Sequence, residues 1–431
     1  MILANGKIYS PSEQNVILDR LEAEINDTRM RLSLDTEAVI HAADSLGKKM
    51  AAGEFDDIIG GFIHDMPHGY IRLAADFLNG ENIRFRLNEE LGESFSGERQ
   101  IYPPYGISKA IVKLMPLGTL FHIAAGNMDG LPVLSVMEGL LTGNVNILKL
   151  PQADKGLTIE ILLRLIELEP SLAPFIYVFD TPSSDISAMR KMAEISDGIA
   201  VWGGDEAVKA VRSLAPAGVK IIEWGHKLGF AYISGYENKD VELSALAEHI
   251  IGTRQLLCSS CQVIFIDTDD MDDIRAFCRE FLPYLEAAER KTPITETGAI
   301  AEMTLRRYTE RLEGHIGCKN ADREYFQGER CSLTACTDSS LQLSYMYGNC
   351  LVKRLPHNEI MAVLRKAKGY LQTAGLICSA EKRELLTDIL VRAGVDRIMR
   401  AGNMSVSFCG EAHDGEYPLR RYMRTVNIEL D

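Results

Sequence analysis

The sequence predicts an α/β protein: a doubly wound, mostly parallel sheet flanked by helices, followed by a second α/β unit. Three observations point there. Between residues 118 and 224, short β-branched apolar runs alternate with segments of helical periodicity, as in parallel strands joined by crossover helices. After residue 226 a second series of helices and strands begins. The 431 residues, 46% hydrophobic and 25% charged, suffice for two or three separate cores.

Residues 1–95 read as a short opening strand followed by helices. SLDTEAVIHAADSLGKKMAAG (33–53) has apolar residues at helical spacing and a glycine stop. ERQIYPPYGISKAIVKLMP (98–116) changes character, with prolines and alternating β-branched residues, and reads as a β-hairpin-like segment reaching out of its domain. From 118, GTLFHIA is a strand, AGNMDG a loop, and LPVLSVMEGLL a helix with Asp129 near its N-cap and Gly143 as its stop. NVNILKL (144–150), FIYVF, GIAVW and VKIIEW (219–224) are the next strands. Between them stand the helices LTIEILLRLIELEP, DISAMRKMAEIS and EAVKAVRSLA. Sheets of this kind bind ligands at the carboxyl ends of their strands.

In the second unit YISG reads as a turn, VELSALAEHIIGTRQLL as a helix, CSSC as a junction and QVIFID as a strand. DDIRAFCREFLPYLEAAERK continues as a helix, and residues 312–350 show no clear period. EIMAVLRKAKGYLQTAGL and EKRELLTDILVRAG read as helices, and YMRTVNIELD as a closing strand.

A net charge of −15 disfavours nucleic acid or an anionic membrane as the main partner, since both require a basic face. The start MILANGKIYS lacks the basic and apolar regions of a signal peptide, and no apolar run is long enough to span a bilayer. A cytoplasmic location is expected. Nine cysteines, all at or after Cys258, suggest reduced thiols rather than a disulfide scaffold.

TRQLLCSSCQ (253–262) contains the one CxxC pair, Cys258 and Cys261. Structural zinc needs four ligands; Cys331 and Cys336 have the wrong spacing for a second pair, and no histidine pair follows, so no metal is expected. A thioredoxin-like pair follows a strand and opens a helix, whereas here the order is helix, CxxC, strand. Two choices remain: a nucleophile, or two buried thiols entering a core strand, which is the commoner fate of cysteine beside VIFI. His122 and His413 read as structural histidines, the latter in an HDG turn.

Three stretches join the cysteine pair in order: AAGNMDGLP with GNVNILK, then VWGGDEAVKAVRS and IIEWGHK, ahead of QLLC. Their order and spacing resemble the aldehyde dehydrogenase superfamily. Gln255, Cys258, Ser259, Ser260 and Gln262, with the C-terminal AHDGEYPLRRYMRTVNIE, are most similar to its acyl-CoA reductase branch, which makes fatty aldehyde for bacterial luminescence. The resemblance covers about residues 98–431. It implies an aldehyde-dehydrogenase-like fold with a nucleotide-binding domain over 1–225 and a hairpin arm at about 98–113. A catalytic domain would cover 226–395, and a segment 396–431 would return to the arm of a homo-oligomer.

The same resemblance implies NADPH-dependent reduction of an acyl thioester to an aldehyde, with NADH possible and CoA as leaving group. The substrate would be acyl-CoA or an acyl-protein thioester, supplied where needed by an acyl-activating ligase or acyltransferase. Cys258 would be the nucleophile and Cys261 a bystander. Asn127 and the Cys258 N–H would stabilise the oxyanion; on its own Asn127 reads as a helix-cap or turn residue. Lys149, Gln152, Gly203, Gly204 and Asp205 would hold the cofactor, with Gln152 standing where NAD-preferring relatives carry a glutamate. Each has a plainer reading: strand-end lysine, loop glutamine, tight turn, N-cap. Glu223 matches the residue that activates water in hydrolytic relatives, but Trp224 and His226 depart from the pattern and favour a positioning role. A hydrolytic aldehyde dehydrogenase and a non-catalytic protein retaining the scaffold are the alternatives.

Overall fold

A computed structural model describes the chain except for residues 63–69, 93–94, 96, 125–129, 318–321 and 431. It divides into two compact units, Met1–Gly225 with Phe408–Asp431, and His226–Ser407.

The strands of the first unit are β1 (Ile2–Ala4), β2 (Lys7–Tyr9), β3 (Arg99–Ile101), β4 (Ala110–Pro116), β5 (Thr119–Ile123), β6 (Val145–Lys149), β7 (Ile176–Phe179), β8 (Gly198–Trp202) and β9 (Lys220–Trp224). Among the described residues, seven of them form a sheet in the order β2-β1-β7-β6-β5-β8-β9. From β7 to β9 every pairing is parallel; β1 joins β7, and β2 joins β1, antiparallel. The β1–β2 hairpin turns on Asn5 and Gly6, both left-handed (φ 48° and 71°), the asparagine–glycine pair such hairpins favour. Strands after β5 step first to one side and then, from β8, to the other. The sheet therefore has a topological switch point between β5 and β8, where carboxyl ends diverge into a crevice.

The helix Leu131–Leu141 is buried at ten of its eleven positions. It approaches β6 so closely that a Cβ on Gly139 would lie 1.8 Å from Asn146 Oδ1. That oxygen faces His122 Nε2 at 3.0 Å, and the Asn146 amide donates to the Asn144 carbonyl at 2.8 Å.

The second unit contains β10 (Leu228–Ser234), β11 (Cys261–Ile266), β12 (Arg323–Gln327), β13 (Ser332–Cys336), β14 (Asn349–Arg354), β15 (Leu371–Cys378) and β16 (Arg397–Arg400). Their order is β12-β13-β14-β11-β10-β15-β16, parallel except for β12 against β13. Several sequence expectations are corrected by these elements. YISG is not a turn: Tyr232–Ser234 end the fully buried strand β10, and only Gly235 (φ 95°) turns. EIMAVLRKAKGYLQTAGL is not one helix: Ile360–Leu364 is helical, Gly369 (φ 89°) turns, and Leu371 onward is β15. The unit also runs past residue 395, because β16 is its edge strand. The helix VELSALAEHIIGTRQLL stops at Gly252, five residues early, because Arg254 and Gln255 turn left-handed.

Strand β17 (Met423–Glu429) pairs antiparallel along the whole of β4, from Met423 opposite Pro116 to Glu429 opposite Ala110, and β3 adds to the other edge of β4. The C-terminal strand thus forms a three-stranded sheet with the segment 98–116. No helix among the described residues is long and apolar enough to cross a membrane.

The Gly139 contact yields a test of the first core. Gly139→Ala inserts a methyl into occupied space and should cost about 1–3 kcal/mol of stability, read as a lower midpoint in chemical denaturation. An unchanged midpoint would show that the helix can shift off β6.

Candidate active site

Cys258 lies on a loop whose shape is set from beneath. The helix Lys239–Gly252 ends at Thr253, whose hydroxyl donates to the His249 carbonyl at 2.8 Å. Arg254 and Gln255 then both take left-handed backbones, φ 51° and 60°. Such residues cost of order 1–3 kcal/mol each and persist only when their surroundings over-determine them. Here the surroundings are a buried amide network. Gln255, fully buried, donates from Nε2 to the Cys261 carbonyl (2.9 Å) and to Ser344 Oγ (3.0 Å), and its Oε1 accepts from the Gly348 N–H (3.1 Å). Gln262 donates to the Gln255 carbonyl (2.7 Å) and accepts from the N–H and hydroxyl of Ser344 (3.2 and 2.8 Å).

A tight turn follows. The Ser260 N–H donates to the Leu257 carbonyl (3.0 Å), and Ser260 Oγ accepts from the Leu257 N–H (3.1 Å). Cys258 and Ser259 occupy the middle of this turn. Gly229 of the neighbouring strand lies flat against it; a Cβ there would come within 2.6 Å of the Ser260 carbonyl oxygen. The two cysteines are thereby separated: Cys258 is exposed at the turn, whereas Cys261 is buried as the first residue of β11. The Cys261 N–H donates to His249 Nε2 (3.3 Å). Arg254 is engaged with Glu296 at 2.7 Å. Ser344, Gly348 and His249 were missed by sequence reasoning. The first two lie in the stretch 312–350 where no period shows; His249 looks like any helix residue.

The remaining candidates belong to the first unit, at the carboxyl ends of its strands. Asn127 and Asp129 lie outside the described residues; the N-cap position of the helix Leu131–Leu141 is Gly130. Lys149 ends β6 with its side chain buried and Nζ donating to Ser183 Oγ at 2.9 Å. Burial pushes its ammonium below the ordinary lysine value, against the opposing pull of Asp180. Gln152 is exposed in the following turn. Asp154, two residues further on, is engaged at the start of the next helix: its oxygens accept from the Gly156 N–H (2.8 Å) and the Thr158 hydroxyl.

Past β8, Gly203 sits so close to Ala207 that a Cβ would meet that residue's Cβ at 2.9 Å. Gly204 is the N-cap of the helix Asp205–Leu214, with Asp205 and Glu206 in its first turn. Glu223, one residue before the end of β9, is gripped in a fork by Arg212, Nε to Oε1 at 2.5 Å and Nη2 to Oε2 at 2.7 Å. This carboxylate holds the guanidinium above its ordinary pKa. Trp224, next along the strand, faces the opposite way, stacked on Trp202 at 5.3 Å with the His413 ring 5.1 Å away. His413 belongs to a tight turn, with Asp414 and Gly415 left-handed.

His122 is wholly buried between Ser135 Oγ (2.7 Å from Nδ1) and Asn146, and Trp202 Nε1 donates to the same Ser135 hydroxyl at 3.0 Å. Among the described residues, no group of three or more histidine, cysteine, aspartate or glutamate side chains is placed to hold a metal.

The family model for acyl-CoA reductase (LuxC) matches residues 33–425. The chain belongs to the acyl-CoA reductase family. Among its curated relatives, long-chain acyl-protein thioester reductase 2 of Photobacterium leiognathi is 26% identical over 327 residues, covering 74% of this chain and 65% of that protein. The long-chain acyl-protein thioester reductase of Vibrio harveyi is 22% identical, covering 80% of this chain and 70% of that protein. The chain thus spans less than two thirds of the length of the Photobacterium relative.

Solved structures with the same fold include the NADP complex of an NADP-dependent glyceraldehyde-3-phosphate dehydrogenase from Bacillus halodurans C-125. Its TM-score is 0.72 at 15% identity, covering 100% of this chain and 99% of that one. Methylmalonate-semialdehyde dehydrogenase from Oceanimonas doudoroffii gives a TM-score of 0.74 at 14% identity, covering 100% and 98%. The fold is that of the aldehyde dehydrogenases.

Acid should loosen both units of this acyl-CoA reductase family member. Burial depresses His122 and His249 to about 4 each, against about 6.5 in an unfolded chain. Their neutral-form stabilisation is complete above about 6.5 and is lost as the pH falls toward 4, where the unfolded chain alone binds the protons. At pH 5 each should cost roughly 2 kcal/mol relative to neutral pH. Denaturation midpoints at pH 7 and 5 should show the fall, and His249→Gln should make it shallower; an equal slope in the variant would refute the assignment.

Proposed function

We propose that the protein reduces an acyl thioester, acyl-CoA or an acyl-protein thioester, to an aldehyde through an acyl group carried on Cys258. The observation that carries this reading is an exposed thiol on a conformationally preset turn, within a chain of the acyl-CoA reductase family. The curated relatives are named for acyl-protein thioesters, and either donor presents the same electrophilic carbonyl. The Cys258 thiolate adds to that carbonyl, and the donor thiol (CoA, or the carrier protein's thiol) leaves with the electron pair of its C–S bond. Asn127 and the Cys258 N–H serve as oxyanion donors in this proposal. Where the acyl donor is made by a separate ligase or acyltransferase, that enzyme would be the functional partner.

The first unit suits a dinucleotide. Its switch point, the Gly203–Gly204 turn onto a helix N-terminus, and the buried Lys149 ammonium beside a neutral hydroxyl form a donor set for phosphate and ribose. A reduced nicotinamide bound there would supply the hydride that takes the thioester to the aldehyde level. Gln152 offers no negative charge to repel a 2′-phosphate, and Asp154 is engaged by the Gly156 N–H and the Thr158 hydroxyl, so NADPH is favoured over NADH. The sheet of β3, β4 and β17 is proposed as the arm through which the protein forms a homo-oligomer.

Two experiments test this. Intact-mass spectra after incubation with acyl-CoAs of several lengths should show an acyl adduct that Cys258→Ala abolishes and Cys261→Ala retains; the reverse pattern would reassign the nucleophile. Steady-state kinetics should give a higher kcat/KM with NADPH than with NADH, and Gln152→Glu should move the preference toward NADH. A clear wild-type preference for NADH would sink the cofactor assignment.

A further inference from the structure

Three buried charges meet where the C-terminal segment returns to the first unit. Arg86 and Glu90 stand on the helix Gly80–Leu91, and Glu138 on the helix Leu131–Leu141. Their side chains are 13%, 0% and 4% exposed, so little solvent screens them. Arg86 divides its guanidinium between the two acids, Nε donating to Glu90 Oε1 and Nη2 to Glu138 Oε1 at 2.5 Å. The second oxygen of Glu90 accepts from the Leu419 N–H at 2.8 Å. The second oxygen of Glu138 is buried and accepts from nothing among the described residues. Tyr422 Oη is buried too, and makes no hydrogen bond to it. The short helix Pro418–Arg421 packs on both acid-bearing helices, with Leu419 and Tyr422 fully buried.

The charges do not balance. One guanidinium neutralises one carboxylate, and a second carboxylate in the same interior is uncompensated unless it is neutral. Among the described residues, the other titratable groups facing the cluster are the Cys409 thiol and the Tyr422 phenol. Burial pushes both up, so neither brings a charge. Arg72, Asp76, Glu89 and Arg420 on the packed elements are exposed, and Arg421 is paired with Glu416 at 2.5 Å. Two carboxyl groups sharing one site titrate as a pair and hold one proton above the ordinary carboxylate value. Burial does push the Glu90 carboxyl up, against the pull of Arg86. Hydrogen bonding then places the proton. Both Glu90 oxygens face N–H donors, whereas Glu138 Oε2 faces none.

We infer that the Glu90–Glu138 pair carries one proton, seated on Glu138 Oε2, and that this proton latches the C-terminal segment onto the first unit. Its loss leaves two carboxylates against one cation. Hydrating them means lifting Leu419 and Tyr422 off the two helices, and β17 begins at the next residue, Met423. A pair held above its unfolded value keeps its proton more tightly when folded. Its contribution to stability is complete below about 4.3, the unfolded value, and is lost as the pH rises through the folded one.

The isostere Glu138→Gln carries the neutral form at every pH. Its denaturation midpoint should gain on that of the wild type as the pH goes from 5 to 9. If Glu138 is ionised, the gap between the two proteins stays constant or turns against the variant, and either result would overturn the inference. The wild-type protein offers a second readout. Its infrared spectrum at neutral pH should contain a protonated-carboxyl C=O band that Glu138→Gln removes; a wild-type spectrum without that band would be equally fatal. For the latch, hydrogen exchange at the Leu419 amide should lose about tenfold more protection at pH 9 in the wild type than in Glu138→Gln. Equal protection in the two would separate the proton from the docking and overturn the latch.

Discussion

The paired amides of Gln255 and Gln262 are the constraint on which the Cys258 turn depends. Two consecutive non-glycine residues in left-handed conformation are strained, and an isolated loop would relax them. They persist because each amide is buried and bonded at both its oxygen and its nitrogen, with Ser344 joining the two. Releasing the strain would leave donors and acceptors unpaired in the interior, a larger loss than the strain itself. The spacing Gln-x-x-Cys-Ser-Ser-x-Gln is thus mechanical. The first glutamine reaches across the turn to the Cys261 carbonyl, the second reaches back to the Gln255 carbonyl, and Leu256, Leu257 and Cys258 between them are left exposed.

The same economy of partners governs the first unit. His122, Ser135, Asn146 and Trp202 form a buried chain in which each ring nitrogen faces one oxygen. With Asn146 Oδ1 as acceptor, the proton sits on Nε2 and Nδ1 accepts from Ser135, so the imidazole is satisfied as a neutral group and burial keeps it so. Through Ser135 the chain ties the central strand β5, the helix that follows it and the end of β8. Those are the elements that flank the switch point of the sheet. Gly139 belongs to the same constraint, since only a residue without a side chain lets that helix lie against Asn146.

The parts of the fold that were legible are those where packing and sequence period agree. Strand β7 is buried on both faces and reads as an unbroken apolar run between amphipathic helices, and the equally buried β6 is apolar but for Asn146 and its terminal Lys149. Strands β10 and β15 were misread, the end of the first as a turn and the start of the second as part of a helix. Gly229 and Gly375 within them serve close approach. A Cβ on Gly375 would lie 2.5 Å from Met404 Sδ, and one on Gly229 would strike the Cys258 turn. No local pattern reveals what lies across from a glycine. Among the candidate site residues, Cys258 stands out by its motif and Lys149 by its place at a strand end. Ser344 could not be found, because its partners are 82 and 89 residues away in sequence.

Glu223 shows how much chemistry a one-residue register can decide. As an edge strand of the parallel sheet, β9 is held on one side only, by β8, and alternation along it sends Glu223 and Trp224 to opposite faces. The C-terminal segment locks that register. Lys220 Nζ donates to the Arg421 carbonyl at 2.7 Å, and the Arg421 guanidinium lies 4.9 Å over the Trp224 ring. A slip by one residue would bury the carboxylate among Leu120, Ala200 and Tyr422, where an uncompensated charge is far costlier than on the helix face beside Arg212. The return of residues 408–431 to the first unit therefore does more than complete a three-stranded sheet. It fixes which face of β9 carries the acid, and hence which cation that acid meets.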